Sequence, residues 1–191
     1  IDYFVALLPA LFLGFMSIVL VAQGGDDRQK TLGTLGGAFL FSALATPFID
    51  VHWTTKTLLI SFLSGLILGF GQYLQILCLK VLGVSRTMPL TTAGQIIFMC
   101  LGGIILFGEM NHGLALVFAL SSIALLTLGV VFISKTEKTQ EAAAENVDWK
   151  RGAILLIIST ACLVAYLLIV QGFGLDGRSV ILPQSVGYFL V

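Results

Sequence analysis

An all-α, polytopic membrane helix bundle is the fold class this sequence predicts, and three observations carry that expectation. Hydrophobic residues make up 58% of the 191 positions and charged residues only 10%, against roughly 25% charged in an ordinary soluble domain; mean hydropathy is +1.04. The apolar residues come in runs of about 20, the length a helix needs to cross a bilayer. The runs are also continuous, whereas the strands of a barrel alternate apolar and polar positions, and only helices or closed barrels satisfy every backbone group in lipid. One water-soluble core could not hide this much hydrocarbon.

Taken in order, the apolar windows fall at 3–22, 32–49, 57–79, 88–107, 113–133 and 152–171, and a seventh begins near Pro183. The first is read as a membrane helix and not a signal peptide: Asp2 stands where a basic region belongs, and no small-x-small cleavage pattern follows. The chain starts at Ile1 without a Met and stops at Val191 inside an apolar run that has barely begun, so it reads as a C-terminally truncated fragment. All connections are short except 134–151, SKTEKTQEAAAENVDWKR, which holds eight of the twenty charged residues. That stretch divides the expected layout into a first five-helix repeat at 1–133, a linker at 134–151, and the start of a second repeat at 152–191. Residues 8–41 and 158–191 echo each other: a first helix, a loop with Asp and Arg, then a Gly-containing helix. A second copy that follows five helices enters the membrane upside down. Inverted repeats of this kind build many secondary transporters, with the substrate site between them near the midplane.

Lys and Arg residues set the expected orientation. Arg28, Lys30, Lys80, Arg86, Lys135, Lys138, Lys150 and Arg151 fall on one side of the bilayer, and only Lys56 and Arg178 on the other. The linker is therefore expected in the cytoplasm and the N-terminal end outside. Ten Lys and Arg balance ten Asp and Glu, so nothing points to nucleic acid as a partner. Cys78, Cys100 and Cys162 are odd in number, lie in apolar runs and lack CxxC spacing, which favours packing over a disulfide or zinc role. No Walker loop, HExxH, GxSxG or dinucleotide fingerprint is present. The chain is read as a non-enzyme, and no cofactor is implied.

Polar side chains within lipid are costly and usually face a bundle interior or a cavity. Gly65, Gly69 and Gly71 make a smooth stripe on the third helix, with Gly65 and Gly69 in the spacing that lets helices approach closely. Gln72 and Gln75 follow on one helical face. Their amides either hydrogen-bond a polyhydroxylated substrate such as a sugar or join helices to each other. On the fourth helix Pro89 is expected near the first turn, after Gly83 relaxes the preceding end. Thr91, Thr92 and Gln95 come next, Thr91 and Gln95 at the four-residue spacing expected to put them on one face, and Gly94 lets a neighbour approach. Arg86, at the membrane boundary, serves as a topology anchor or a gate. Glu109, after the fourth helix, either takes up a proton when partly desolvated or favours the N-terminal dipole of the fifth helix. His112 is read as a loop residue, with a proton relay as the alternative. Trp53, Tyr73, Trp149 and Tyr166 are read as interfacial or packing aromatics.

Several of these segments resemble the glucose/ribose porter family of the drug/metabolite transporter superfamily. The resemblance rests on Gly69-Phe70-Gly71-Gln72-Tyr73-Leu74-Gln75, on the run from Val84-Ser85-Arg86-Thr87-Met88-Pro89 through Leu90-Thr91-Thr92-Ala93-Gly94-Gln95, and on Phe107-Gly108-Glu109. Ala6-Leu7-Leu8-Pro9-Ala10 and Leu182-Pro183-Gln184-Ser185-Val186-Gly187 are similar to that family's first and seventh helices. The resemblance implies a ten-helix carrier of two inverted five-helix repeats in the cell membrane, taking up glucose or ribose by proton symport with alternating access. On that reading Gln72, Gln75, Thr91, Thr92 and Gln95 contact the sugar, Arg86 is a gate or anchor, and Glu109 is the proton site. Superfamily members are commonly drawn with the N-terminus inside, opposite to the orientation expected from the charge asymmetry. Pairing into a homo-oligomer stays open. The rival readings are a metabolite or drug exporter of the same superfamily, which would want a carboxylate in mid-helix, and a non-transporting membrane assembly subunit.

Overall fold

The computed structural model of the chain describes residues 8, 11–12, 14–16, 18–19, 22, 24, 26–51, 53–108, 113–140 and 148–191. Those between 8 and 22 are all helical and belong to α1. The rest form α2 (Asp27–Ala45), α3 (Thr55–Leu82), α4 (Val84–Phe107), α5 (Gly113–Gln140), α6 (Trp149–Gly172) and α7 (Gly177–Phe189), with one 3₁₀ turn at Thr46–Phe48. No strand occurs among the described residues. Among the described residues, four helices are long and apolar enough to cross a bilayer, spanning 28–48, 55–82, 84–107 and 149–172, and α5 carries a shorter apolar stretch at Leu116–Gly129. The protein is a polytopic membrane helix bundle.

Local chemistry fixes where the helices stop. Gly83, at φ +80, ends α3 by donating its N–H to the Leu79 carbonyl and at once opens α4. Gly108 ends α4 in the left-handed conformation at φ +60, with its N–H on the Gly103 carbonyl; a side chain there would strain the backbone. Asp148 caps α6, its carboxylate accepting the Arg151 N–H at 3.2 Å.

Most helices are longer than their apolar windows. α2 begins at Asp27 instead of 32, α4 at Val84 instead of 88, α7 at Gly177 instead of near Pro183, and α5 runs to Gln140, seven residues into the segment read as linker. The window locates the part of a helix that belongs in hydrocarbon, whereas backbone hydrogen bonding continues into the polar boundary. Pro89 consequently lies inside α4, beyond its first turn. It leaves the Ser85 carbonyl without its helical donor.

The bundle centres on α3, which packs against α6 on one side and α7 on the other. At the α3–α7 crossing there is room for glycine only: a Cβ on Gly65 would collide with the Gln184 carbonyl, and one on Gly187 with the Phe62 carbonyl. On the α6 side, a Cβ on Gly71 would meet Cys162 at 2.9 Å, and the Gly71 carbonyl accepts the Ser159 hydroxyl at 2.9 Å. α3 and α6 are antiparallel. Lys56 at the start of α3 lies over the Phe173 ring just past α6, and Leu82 at its end meets Gly152. α2 and α7 also run antiparallel, joined by a buried Ser42–Ser185 hydroxyl pair and by stacked Phe39 and Phe189 rings 5.5 Å apart. Pairs of like residues recur at one constant offset along the chain: Gly24 and Gly174, both at φ +61, Asp26 and Asp176 ahead of α2 and α7, and Phe39 and Phe189 themselves.

Candidate functional site: a polar cavity between α3, α4 and α6

The small residues of α3 and α4 place α6 close enough for three helices to share one cavity. Gly71 admits α6 to α3. On α4, a Cβ at Gly94 would meet the Thr160 methyl at 3.0 Å and one at Gly102 a Leu168 methyl at 2.8 Å. Directly after these contacts the same helices carry amides. Gln72 and Gln75 from α3 and Thr92 and Gln95 from α4 all open on a cavity of about 530 Å³, within the range of about 300–1,000 Å³ usual for small-molecule sites. Leu163, Tyr166 and Leu167 of α6 form another wall, Gly14 and Met16 of α1 also reach it, and Leu68, Ile76, Leu79 and Met88 add apolar surface between the amides.

Four of the five proposed contact residues thus meet in one place, and the fifth does not. Thr91 is 1% exposed and donates its hydroxyl to the Thr87 carbonyl of its own helix at 2.7 Å. It faces away from the cavity that its neighbour Thr92 lines. Among the described residues, none hydrogen-bonds the side chains of Gln72, Gln75, Gln95 or Tyr166. Each amide offers two donors and an acceptor, and leaving such a group unsatisfied in an apolar surrounding costs about 1–3 kcal/mol. These side chains thus line the cavity with their hydrogen-bonding groups unengaged by other described residues.

Arg86 lies elsewhere. It is 7% exposed, at the start of α4, with its guanidinium 5.2 Å from the centre of the Trp149 ring at the start of α6. A desolvated cation on an indole face is worth about 2 kcal/mol, so the pair ties α4 to α6 beside the linker. Glu109 and His112 lie outside the described residues. No group of three or more His, Cys, Asp or Glu that could hold a metal occurs among the described residues. Two further depressions, one between α3 and α7 near Trp53 and Pro183 and one between α4 and α5 near Pro89 and Leu125, are lined almost wholly by hydrocarbon. They offer a polar molecule little to bind.

Tyr166 is the cavity residue that reading the sequence as interfacial and packing aromatics misses. The available signal was a phenol well inside the apolar run 152–171, where a hydroxyl needs a polar neighbour.

Fold and cavity together define a multi-pass membrane protein with a partly polar cavity between its helices. The Sugar transport protein family matches residues 4–191, and the chain belongs to that family. It is 34% identical over 189 residues to a Bacillus cereus protein named Probable glucose uptake protein, covering 99% of this chain and 66% of that one. A Listeria innocua protein carrying a sugar-uptake name is 36% identical, over 97% of this chain and 64% of its own. The glucose uptake protein of Bacillus subtilis is 31% identical, over 97% and 65% respectively. The chain therefore spans just under two-thirds of the length of these relatives. No solved structure matches it.

Proposed function

We propose that this chain forms the sugar-binding part of a secondary-active carrier that takes glucose or ribose into the cell. The observation that carries the reading is the convergence of Gln72, Gln75, Thr92 and Gln95 on one cavity, with the three amides making no hydrogen bond to other described residues. Sugar hydroxyls both donate and accept, and so do amides. The names of the relatives, glucose and sugar uptake proteins, support the same substrate class.

The carrier is built on the plan of the drug/metabolite transporter superfamily. Residues 1–133 are its first five-helix repeat, 134–151 the linker, and 152–191 the opening of an inverted second repeat. Support comes from the antiparallel contact of α2 with α7 and from the residue pairs at one offset. Met16 and Tyr166 stand at that same offset and line the same cavity, as expected of a site between two repeats that alternates in access. Uptake is by proton symport through Glu109. Among the described residues that line the cavity there is no carboxylate or imidazole, so the proton takes a route beside the sugar. The linker faces the cytoplasm of the cell membrane and the N-terminal end lies outside.

The test is uptake of radiolabelled D-glucose and D-ribose by cells expressing the complete gene, with and without a protonophore. Protonophore-sensitive accumulation of either sugar, abolished by the Gln72→Leu/Gln75→Leu pair without loss of membrane insertion, is the expected result. A correctly inserted protein that accumulates neither would sink the proposal in favour of export.

A further inference from the structure

The cavity has two unlike walls, and the difference bears on the form of sugar it takes. α3 and α4 contribute the amides and the Thr92 hydroxyl, set among Leu68, Ile76, Leu79 and Met88; α6 contributes the one aromatic ring, Tyr166, between Leu163 and Leu167, and no amide. Gly71 of α3 packs on Cys162 and Leu163, and the two helices are antiparallel, so the backbone of Tyr166, one helical turn further along α6, lies level with Leu68, about one turn from Gln72 on the same chamber. It is the only aromatic side chain among the described residues that line this chamber.

A pyranose chair with equatorial hydroxyls has the matching shape. Its hydroxyl groups radiate around the edge, and its axial C–H bonds leave two apolar faces. An amide wall serves the edge, and an aromatic ring, with its negatively polarised face, serves the C–H face. An open-chain polyol carries the same hydroxyls but has no flat apolar face to present.

We propose that Tyr166 is a specificity-determining residue whose ring stacks on the face of a hexopyranose while Gln72, Gln75 and Gln95 bind its hydroxyl edge. The inference rests on the sugar-carrier reading above and goes beyond it by selecting the closed six-membered ring over open-chain polyols. The phenol hydroxyl makes no hydrogen bond to other described residues, so the ring is not committed elsewhere by a polar partner. The aromatic face, not the hydroxyl, is the selective element.

Equilibrium binding of radiolabelled D-glucose to the purified protein from the complete gene, competed with unlabelled glucose or sorbitol, tests this. Wild type is compared with Tyr166→Phe, which keeps the ring, and Tyr166→Leu, which keeps an apolar side chain without it. Tyr166→Phe is expected to retain both the affinity and the preference for glucose over sorbitol. Tyr166→Leu is expected to bind glucose about three- to tenfold more weakly, with sorbitol affinity unchanged, so that the preference collapses. A general packing defect would weaken both ligands alike, and that result overturns the proposal. So does a Tyr166→Leu protein with wild-type preference, or a Tyr166→Phe protein that loses it, since the latter transfers the role to the hydroxyl. Binding of neither D-glucose nor D-ribose to the wild type would overturn the sugar reading itself, whereas binding of ribose without glucose overturns only the hexopyranose proposal, which separates the two failures.

Discussion

The α3–α7 crossing gives the sharpest test of how this bundle is held together. Gly65→Ala sets a methyl group against the backbone carbonyl of Gln184, and Gly187→Ala sets one against that of Phe62. Neither obstacle is the free end of a side chain, so the helices themselves must separate. A gap on the order of 0.5–1 Å already forfeits a quarter to a half of the dispersion attraction between facing atoms. It also strains the Gln184 to Ser64 hydrogen bond, which is 3.3 Å long to begin with. Overpacking of this kind costs about 1–3 kcal/mol, and for a chain of this size each kcal/mol moves the melting midpoint by roughly 2–4 °C. Gly65→Ala is thus expected to lower the midpoint by about 2–12 °C in detergent micelles. Gly33→Ala, where no atom stands within 4 Å of the new methyl, should leave it unchanged or raise it through better helix propensity, worth up to about 1 kcal/mol. Because both crossing substitutions force the same separation, the double variant should lose less than the sum of the singles. Equal midpoints for Gly65→Ala and Gly33→Ala, or strict additivity of the pair, would refute the reasoning.

Three other outcomes are expected. Ser159→Ala removes the buried hydroxyl that α6 donates to the Gly71 carbonyl; interhelical bonds of this type in membranes average about 0.6 kcal/mol with a maximum near 1.7, so the midpoint should fall by only about 1–7 °C, and a larger loss would mean that Ser159 does more than this. Thr91→Val keeps the shape of a side chain that bonds only its own helix and should leave glucose affinity unchanged, whereas Thr92→Val removes a cavity hydroxyl and should weaken it about two- to tenfold; the reverse order, read by equilibrium binding, contradicts the assignment of the lining. In a background without Cys78, Cys100 and Cys162, a cysteine at Lys56 or Arg178 should react with a membrane-impermeant maleimide in intact cells and one at Lys150 only after permeabilisation, and the opposite pattern reverses the proposed orientation.

How much of this was legible in the sequence varies with the kind of residue. The glycine stripe was readable because small residues in an apolar helix have one common use, close approach, and Gly65, Gly69 and Gly71 each meet a neighbouring helix. Gly94 does the same against Thr160. Helix ends were read short, because hydropathy marks the lipid-facing length and says nothing of turns that continue into the polar boundary, as α5 does to Gln140. Thr91 and Thr92 show the limit for site residues. Adjacent positions on a helix lie about 100° apart, so one can face a cavity and the other a neighbouring turn, and composition does not say which.

Gly71-Gln72 and Gly94-Gln95 have a common logic. In each, a glycine seats α6 against its helix and the next residue brings an amide to the edge of that contact. If the glycine were larger, α6 would stand off, and the chamber would open to lipid, where an amide without a partner is costly. If the glutamine were apolar, the contact would survive and the chamber would lose its polar wall. The two residue types therefore fail differently. Enlarging Gly94 should disturb stability and binding together, whereas Gln95→Leu should spare the melting midpoint and strike binding alone. That separation is what distinguishes amides placed for a ligand from amides that hold helices to each other.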